Sequence, residues 1–265
     1  MKALKDLPSA LEEQEAIWKR IKGHQLVIFL DYDGTLTPIV SQPERALLTS
    51  SMRATLQELA SYYTIAIVSG RDLRDLIKRI GVDNIFYAGS HGFEIVGPGG
   101  LKKELDAAEA LLGSLNQIEA QLQLAIKPFK GALIERKHFS IAIHYRNVKD
   151  ESQEPFKQSI EAMCRNLHGF KLTHGKKVLE LLPNIDWHKG KAILWLLDQL
   201  PLKSNSIFSI YIGDDLTDED AFRALNDKGL GIVIRGGTHE SSADYALNDP
   251  NEVQLFLQEI IKREI

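Results

Sequence analysis

Short apolar runs rich in β-branched residues recur along the chain, and helical patterns lie between most of them. The runs occupy residues 26–30, 64–68, 85–87, 207–212 and 231–234. Apolar residues at helical spacing predict helices over residues 72–80, 189–200, 218–225 and 251–262. Buried strands that alternate with helices are typical of a parallel sheet with helices on both faces. The pattern therefore predicts an α/β fold.

The pattern changes between about residue 101 and residue 183. Two neighbouring runs, 132–136 and 140–145, alternate apolar with polar residues on either side of a short turn. Such alternation predicts an antiparallel pair of strands with one face in water. The remaining predicted elements of this region are helices over 104–126 and 156–167 and strands over 170–173 and 177–182.

Residues that interrupt regular structure mark both ends of this region. The sequence GPGG at residues 97–100 precedes it, and Pro183-Asn184 follows it. We therefore expect an inserted α+β domain over residues 101–183. The core domain should comprise residues 1–100 together with 184–265.

The composition is that of an ordinary globular protein and excludes several classes of partner. Of the 265 residues, 44% are hydrophobic and 26% are charged, and the net charge is −4. A chain with 32 basic and 36 acidic residues lacks the basic surface that binds nucleic acid or an anionic membrane. No apolar run approaches the length of a bilayer span, so we expect no membrane insertion.

The single cysteine and the N-terminal pattern indicate the cellular compartment of the protein. Cys164 cannot form an internal disulfide, and the N-terminus lacks the basic-then-apolar pattern of a signal peptide. We therefore expect a cytoplasmic protein. The sequence leaves the oligomeric state open, and a monomer is the working expectation.

A pair of acidic residues directly follows the first apolar run. The sequence DYDGT at residues 31–35 places Asp31 and Asp33 at the carboxyl end of a predicted strand, where α/β sheets bind their ligands. Two acids separated by one residue repel each other unless a cation or a proton lies between them. Mg²⁺ accepts oxygen ligands of this type. Taken alone, an Asp-rich turn after a strand also occurs in solvated loops.

A second acidic segment favours the metal-binding interpretation. GDDLTDE at residues 213–219 again follows an apolar run and contains four acids within six residues. Asp214 is the preferred metal ligand, and Asp215 and Asp218 are further candidates. For Asp218 an alternative remains, because acids in the first turn of a helix are stabilised by the helix dipole.

Two more segments could supply hydrogen-bond donors and positive charge for phosphoryl transfer. Ser69, Gly70 and Arg71 follow the run that ends at Val68, and Lys189 begins a predicted helix. Donors at these places could bind oxygens that gain charge in a transition state. Each would be an ordinary polar residue in isolation, so their significance lies in their order and their shared position at strand ends and helix starts.

Taken in order, these motifs resemble those of the haloacid dehalogenase (HAD) superfamily of phosphatases. Within it, the chain resembles the trehalose-6-phosphate phosphatase family from about Leu26 to about Asp220. The segments that carry this resemblance are DYDGTL (31–36), GSHGFE (89–94), ERK (135–137), HYR (144–146), GKKVLE (175–180) and GDDLTDE (213–219).

The resemblance implies a fold and a mechanism. The fold would be a Rossmann-like core with a parallel sheet, plus an inserted α+β cap of the C2B type. Asp31 would be the nucleophile, and Asp33 would first protonate the leaving oxygen and then activate water. Asp31, the main-chain carbonyl of Asp33 and Asp214 would hold Mg²⁺, while Ser69 and Lys189 would bind the phosphoryl oxygens.

The resemblance also implies which residues bind the substrate, a small sugar phosphate. Those in the core are Gly70, Arg71 and His91, and those in the cap are Glu135, Lys137, His144, Lys176 and Glu180. Alternating charged residues would also occur on a solvent-facing sheet. His91 and His144 could equally be buried or hinge histidines, so these alternatives stay open.

The chain departs from the family pattern in two places. Leu181-Leu182-Pro183 stands where a basic residue usually precedes proline, and His188 stands where an acid is commoner. Either departure could shift the sugar preference. The expected reaction is hydrolysis of trehalose 6-phosphate, with sucrose 6-phosphate or mannosyl-3-phosphoglycerate as alternative substrates and a non-catalytic sugar-phosphate sensor as an alternative function.

Overall fold

The computed structural model describes residues 1–40, 42–175, 177–201, 207–236 and 240–263. They form two compact units, one of residues 1–102 with 187–265 and the other of residues 103–186. The sequence placed the boundaries at 100/101 and 183/184, and the assignment of core and cap functions to the two parts stays a prediction. Within the described residues, no helix is both long enough and apolar enough to cross a membrane.

The first unit is built on an eight-stranded sheet with the order β14-β12-β11-β2-β3-β4-β5-β6, of which all but the last two residues of β6 belong to this unit. Strands β14 to β4 in this order are parallel, and β5 pairs with β4 in the antiparallel sense. The bounds of the strands are Gln25–Leu30 (β2), Thr64–Val68 (β3), Phe86–Gly89 (β4), Glu94–Val96 (β5), Lys102–Glu104 (β6), Ile207–Gly213 (β11), Gly229–Ile234 (β12) and Tyr245–Leu247 (β14). A separate pair joins β1 (Lys2–Ala3) to β13 (Glu240–Ser241).

Helices and buried side chains cover both faces of this sheet. The helices are α1 (Gln14–Ile21), α2 (Ser50–Tyr62), α3 (Leu73–Ile80), α7 (Lys189–Gln199), α8 (Glu219–Leu225) and α9 (Pro250–Lys262). Successive residues of β2 alternate between two apolar clusters, since Ile28 packs in one and Phe29 in the other. The prediction of an α/β fold with a central parallel sheet is confirmed.

Side-chain caps explain where several helices begin and end. Asp72 accepts a hydrogen bond from the backbone N–H of Arg74 at 2.9 Å, which begins α3, and Gly81 in the left-handed conformation ends it. Asp249 caps α9 in the same way, with Pro250 at the first helical position. Both helices were predicted from apolar residues at helical spacing, and α3 and α9 confirm them.

Helix α2 was not predicted from the sequence, although its signals are present. Met52, Leu56 and Leu59 recur at helical spacing and are buried. The hydroxyl of Thr49 accepts a hydrogen bond from the N–H of Met52 at 3.1 Å and begins the helix.

The second unit is a four-stranded antiparallel sheet covered by helices. Its order is β7-β8-β10-β9, with bounds Leu133–Arg136 (β7), Ile141–His144 (β8), Phe170–Gly175 (β9) and Val178–Pro183 (β10). Its helices are α4 (Asp106–Glu109), α5 (Leu112–Ala125) and α6 (Asp150–Cys164). Ile143, Phe156 and Leu179 lie in its apolar core, which confirms the predicted antiparallel pair with one buried face.

Two helix predictions in this unit were wrong in their bounds. The helix predicted over 104–126 is interrupted at Ala110 and Leu111, between α4 and α5, where the N–H of Leu111 donates to the carbonyl of Ala108 only three residues earlier. Helix α6 begins six residues before the predicted start at 156. It contains Pro155, which lacks an N–H, so the carbonyl of the exposed Glu151 has no helical donor.

Candidate active site

Three of the four predicted motifs meet at one edge of the parallel sheet. Asp31 follows β2, Ser69 follows β3 and Asp214 follows β11, each at the carboxyl end of its strand. Strand β2 lies between β11 and β3, so these three residues come from neighbouring strands. The remaining motif contributes Lys189, the first residue of α7, and the side chain of Lys189 reaches the same edge.

Lys189 joins two buried carboxylates. Its Nζ lies 2.7 Å from Oδ1 of Asp31 and 2.6 Å from Oδ1 of Asp218. The side chain of Lys189 is 3% exposed, and those of Asp31 and Asp218 are 7% and 0% exposed. At this depth water screens the charges little, so each partner strongly affects the others.

Asp218 accepts four hydrogen bonds and is the centre of this network. Its Oδ1 accepts from Lys189 and from the hydroxyl of Tyr211 at 2.5 Å. Its Oδ2 accepts from the backbone N–H groups of Asp214 and Asp215, both at 2.9 Å. A Cβ at Gly213 would lie 2.4 Å from Cγ of Asp218, so only glycine leaves room for the carboxylate.

The acidic side chains suit a divalent cation. Oxygen atoms of Asp31, Asp214 and Asp218 all lie within 4.8 Å of one another, and all three residues are buried. Three carboxylates this close together repel one another unless positive charge lies among them, and Mg²⁺ favours oxygen ligands of this kind. Because Asp218 already accepts four hydrogen bonds, Asp31 and Asp214 are the better direct ligands.

Burial and neighbouring charges shift the pKa values in this network. Burial raises the pKa of Asp31 well above its usual range, Lys189 opposes this shift, and Asp218 and Asp214 add to it. Burial by itself lowers the pKa of Lys189, but Asp218 and Asp31 outweigh burial and raise it well above the usual value. The lysine is therefore an ammonium ion, and a cation near Asp31 would favour the ionised carboxylate.

Gly34 allows the first acidic loop to approach the second. It adopts a φ of +89°, and a Cβ there would lie 2.2 Å from Oδ2 of Asp214. Its positive φ first turns the chain away from the end of β2. Its second effect is to make room for the carboxylate of Asp214.

The other two predicted metal ligands make different contacts. The carboxylate of Asp33 receives two hydrogen bonds from Arg71, at 2.7 and 2.6 Å. Asp215 is half-buried, and its Oδ1 accepts from the N–H of Leu216 at 2.7 Å at the start of a short helical turn. Neither carboxylate belongs to the three-residue group formed by the described acids.

Arg71 was predicted to bind substrate, and here its guanidinium group binds acidic side chains. Besides Asp33, it donates to Oδ2 of Asp75 at 3.0 Å and to the carbonyl of Pro43 at 2.9 Å. Its side chain is 8% exposed and lies over the ring of Tyr32. These contacts hold the planar guanidinium group in one orientation. Its two N–H donors therefore fix the direction of the Asp33 carboxylate.

The loop after β3 is held by the turn that follows β4. The N–H of His91 donates to the carbonyl of Ser69 at 2.9 Å, and the N–H of Ser90 donates to the carbonyl of Arg71 at 2.7 Å. Both residues of the turn have positive φ, 49° at Ser90 and 59° at His91. A Cβ at Gly70 would lie 2.7 Å from Cε1 of His91, so the predicted residues Gly70 and His91 are in close contact.

The predicted sugar-binding residues of the second unit cluster on one face of its sheet. Glu135 lies opposite Ala142, which in turn lies opposite Glu180. The Nε2 atom of His144 lies 2.8 Å from Oε2 of Glu135, and Nζ of Lys137 lies 2.7 Å from Oε1 of Glu180. Lys176, predicted with them, lies outside the described residues.

Two residues that the sequence analysis did not single out belong to these networks. Tyr211 donates to Asp218, yet in the sequence it is only one member of an apolar run. Ser140 donates to Oε1 of Glu180 at 2.7 Å, and its position at the start of a predicted strand carries no such signal.

Comparison with known proteins identifies relatives along nearly the whole chain. Residues 29–251 match the model of a family described as trehalose-phosphatase. The trehalose 6-phosphate phosphatase RA3 of Zea mays is 37% identical over 272 residues, covering 97% of this chain and 75% of that protein. An uncharacterised glycosyl hydrolase of Mycobacterium tuberculosis is 41% identical over 266 residues, covering 97% of this chain but only 20% of that protein.

A solved structure shares the fold. The crystal structure of a trehalose-6-phosphate phosphatase related protein superposes with a TM-score of 0.77 at 28% identity. The match covers 89% of this chain and 97% of that one. The sequence therefore forms an α/β HAD core with a cap, as its motifs indicated.

Proposed function

Because the chain belongs to the trehalose-phosphatase family, we propose that it is a magnesium-dependent phosphatase that hydrolyses trehalose 6-phosphate to trehalose and phosphate. The observation that carries this proposal is the buried network in which Lys189 joins Asp31 and Asp218 beside Asp214. A carboxylate in contact with a lysine and close to a cation site is suited to attack phosphorus, because both positive groups offset the charge of the phosphate.

In the first step the carboxylate of Asp31 attacks the phosphorus atom of the ester. The bond between phosphorus and the sugar oxygen breaks, and its electron pair stays on that oxygen. Asp33 gives the oxygen a proton, so trehalose leaves as a neutral alcohol and Asp31 carries the phosphoryl group. Lys189, Ser69 and nearby backbone N–H groups bind the phosphoryl oxygens. Asp31, the carbonyl of Asp33 and Asp214 would hold Mg²⁺, which would supply further positive charge there.

In the second step Asp33 is ionised and accepts a proton from water. The oxygen of that water attacks phosphorus, the bond from phosphorus to Asp31 breaks, and phosphate leaves. Asp31 is again a free carboxylate, and Asp33 is again protonated. One residue thus serves as acid and then as base, as the order of the steps requires.

The second unit would provide the contacts to the sugar. The polar face around Glu135, Lys137, His144 and Glu180 offers carboxylates, an ammonium group and an imidazole to the hydroxyls of a disaccharide, and Lys176 would add a further cation. Charged groups form stronger hydrogen bonds to hydroxyls than neutral groups do. Ser140 belongs to this face through its bond to Glu180.

The two departures from the family pattern bear on the choice of sugar. At the position before proline, the basic residue of the family pattern is replaced by Leu182, an apolar residue that is buried in β10. His188 precedes α7, and its Nδ1 lies 3.7 Å from Oδ2 of Asp220. A different sugar phosphate, such as sucrose 6-phosphate or mannosyl-3-phosphoglycerate, is therefore the second candidate substrate.

A panel of sugar phosphates decides between these substrates. Released phosphate is measured with trehalose 6-phosphate, sucrose 6-phosphate and mannosyl-3-phosphoglycerate at fixed Mg²⁺, and each assay is repeated with a chelator. We expect the highest kcat/KM for trehalose 6-phosphate and loss of activity with the chelator. A higher kcat/KM for another ester would change the substrate, and activity that survives chelation would contradict the metal requirement.

Replacing the nucleophile tests the mechanism and the sensor alternative together. Asp31→Asn should reduce turnover by about 10⁴-fold or more, because an amide cannot form the phosphoryl ester. Lys189 keeps Asp218 as a partner, so the variant should fold, and calorimetry should still detect sugar-phosphate binding. A variant that retains full turnover contradicts the assigned nucleophile, whereas a wild type that binds without turnover favours a sensor.

The expected monomer and its cytoplasmic location remain parts of this proposal. Sedimentation of the purified chain would test the first, and localisation of a tagged chain in its host would test the second.

A further inference from the structure

We propose that Tyr211 is a positioning residue of the phosphatase reaction, which acts through Asp218 to hold Lys189 and the Asp214 loop in place. The inference rests on the proposed function. It concerns a residue that is none of the predicted nucleophile, metal ligands or substrate-binding groups. Tyr211 lies in β11, two residues before Gly213, and its side chain is fully buried.

The hydroxyl of Tyr211 determines where the carboxylate of Asp218 lies. It donates to Oδ1 of Asp218 at 2.5 Å, and the same oxygen accepts from Nζ of Lys189 at 2.6 Å. A lysine has four rotatable bonds in its side chain, whereas a tyrosine has two and is here anchored in a central strand. The phenol therefore fixes the shared oxygen, and the shared oxygen fixes the ammonium group.

The ammonium group in turn contacts the predicted nucleophile. Nζ of Lys189 lies 2.7 Å from Oδ1 of Asp31, so a shift of Asp218 would be passed to Asp31 through Lys189. The other oxygen of Asp218 accepts from the N–H groups of Asp214 and Asp215. Rotation of this one carboxylate would thus disturb the nucleophile, the lysine and the metal-binding loop together.

The ring of Tyr211 is itself held in place. Phe222 of α8 meets it edge to face, with ring centroids 5.6 Å apart and an interplanar angle of 79°. Phe222 can take this position because residue 231 is glycine, where a Cβ would lie 2.5 Å from Cδ1 of the phenyl ring. Close packing on Gly231 restricts the ring of Phe222. The ring of Phe222 in turn restricts the ring of Tyr211 and so the direction of its hydroxyl.

Tyr211→Phe removes the hydroxyl and leaves the ring packing intact. We expect kcat to fall about tenfold for both trehalose 6-phosphate and p-nitrophenyl phosphate, because Asp31 and Lys189 act on the phosphoryl group in either ester. KM should change by less than about twofold, since the hydroxyl contacts no substrate. Binding of beryllium trifluoride with Mg²⁺, followed by ¹⁹F NMR, should weaken as well, and this readout needs no turnover.

Tyr87→Phe is the matched control. Tyr87 lies in β4 of the same sheet and is 6% exposed, and its hydroxyl donates to the carbonyl of Val82 at 2.6 Å. The control variant loses a buried hydroxyl of the same kind, so it should lose a similar amount of thermal stability. Its kcat and its beryllium trifluoride binding should stay at the wild-type values.

The outcomes separate this inference from the proposed function. Equal kcat for the two variants at equal thermal shifts means that Tyr211 only stabilises the fold, and this result overturns the inference. A wild type that cleaves p-nitrophenyl phosphate but no trehalose 6-phosphate overturns the substrate assignment alone and leaves the comparison of variants valid. A wild type that neither cleaves an ester nor binds beryllium trifluoride overturns both.

Discussion

Single side chains at this site act through geometry as much as through charge, and Arg71 shows this most directly. Its guanidinium group binds both oxygens of Asp33 and is itself oriented by Asp75 and the carbonyl of Pro43. A lysine at this place would keep the charge but lose the two-point contact. The role of Arg71 can therefore be tested without changing the charge of the site.

Arg71→Lys should slow the release of poor leaving groups selectively. We expect kcat for trehalose 6-phosphate to fall about tenfold, because the sugar oxygen needs a well-placed proton from Asp33. For p-nitrophenyl phosphate, whose leaving group needs no proton, the fall should be less than about threefold. Arg74→Lys, an exposed change in helix α3, which begins two residues after Arg71, is the control. Equal losses on both esters would instead support direct binding of phosphate by Arg71, as the sequence suggested.

Replacing Gly34 tests whether the position of the Asp214 carboxylate determines the Mg²⁺ concentration that activity requires. In Gly34→Ala the new Cβ would lie 2.2 Å from Oδ2 of Asp214, so this carboxylate must move. We expect the Mg²⁺ concentration for half-maximal activity to rise on the order of tenfold. The measurement is a Mg²⁺ titration of phosphate release.

Gly23→Ala is the control for backbone strain in that experiment. Gly23 has a φ of +83°, close to the +89° of Gly34, but among the described residues only its chain neighbours could lie within 4 Å of a Cβ there. Both variants should lose about 1–2 kcal/mol of stability because alanine resists positive φ. A similar Mg²⁺ requirement in both would show that strain alone, rather than contact with Asp214, explains the effect.

At the scale of whole elements, the sequence predicted the buried strands and the places where they end. Strands β2, β3 and β11 are nearly continuous apolar runs, which parallel sheets require, and polar motifs follow each directly. The sequence alone therefore predicts that Asp31, Ser69 and Asp214 lie at one sheet edge.

The elements that were missed or mislocated depend on tertiary contacts. Leu111 lies at the break between α4 and α5 and packs on the core of its own unit, and no local signal marks that break. The pairing of Arg71 with Asp33 and the bond from Tyr211 to Asp218 join residues from different strands and loops. Periodicity and spacing do not report which side chains meet across elements, so these partners could not be predicted.

At the scale of the whole molecule, the two units have separate apolar cores, and Cys164 reports on one of them. This single cysteine is 7% exposed in the core of the second unit, and burial raises the pKa of its thiol to about 11. We expect slow reaction with a thiol reagent at pH 8 in the native state and fast reaction in denaturant, because the thiolate is the reactive form. Labelling thus measures the opening of the second unit.

Two matched core variants test whether the units open independently. Phe156→Ala in the second unit and Phe256→Ala in the first each remove a fully buried ring, at a cost of about 3–5 kcal/mol. Labelling of Cys164 should accelerate strongly in the former and stay near the wild-type rate in the latter. Equal acceleration in both would mean that the two units unfold as one.

The order of the strands also constrains how a newly synthesised chain can mature. Strand β2 pairs with β11, so Gln25 must find Ile207 after the whole second unit has emerged from the ribosome. The second unit is contiguous in sequence and can form early, whereas the neighbouring strand of β2 on this side arrives late. Until then an apolar strand edge stays open to wrong partners, and a nascent chain carries Asp31 without Asp214. Chaperone binding should therefore be concentrated on the strands that precede the second unit, and catalytic competence should appear only after β11 and the Asp214 loop have been synthesised.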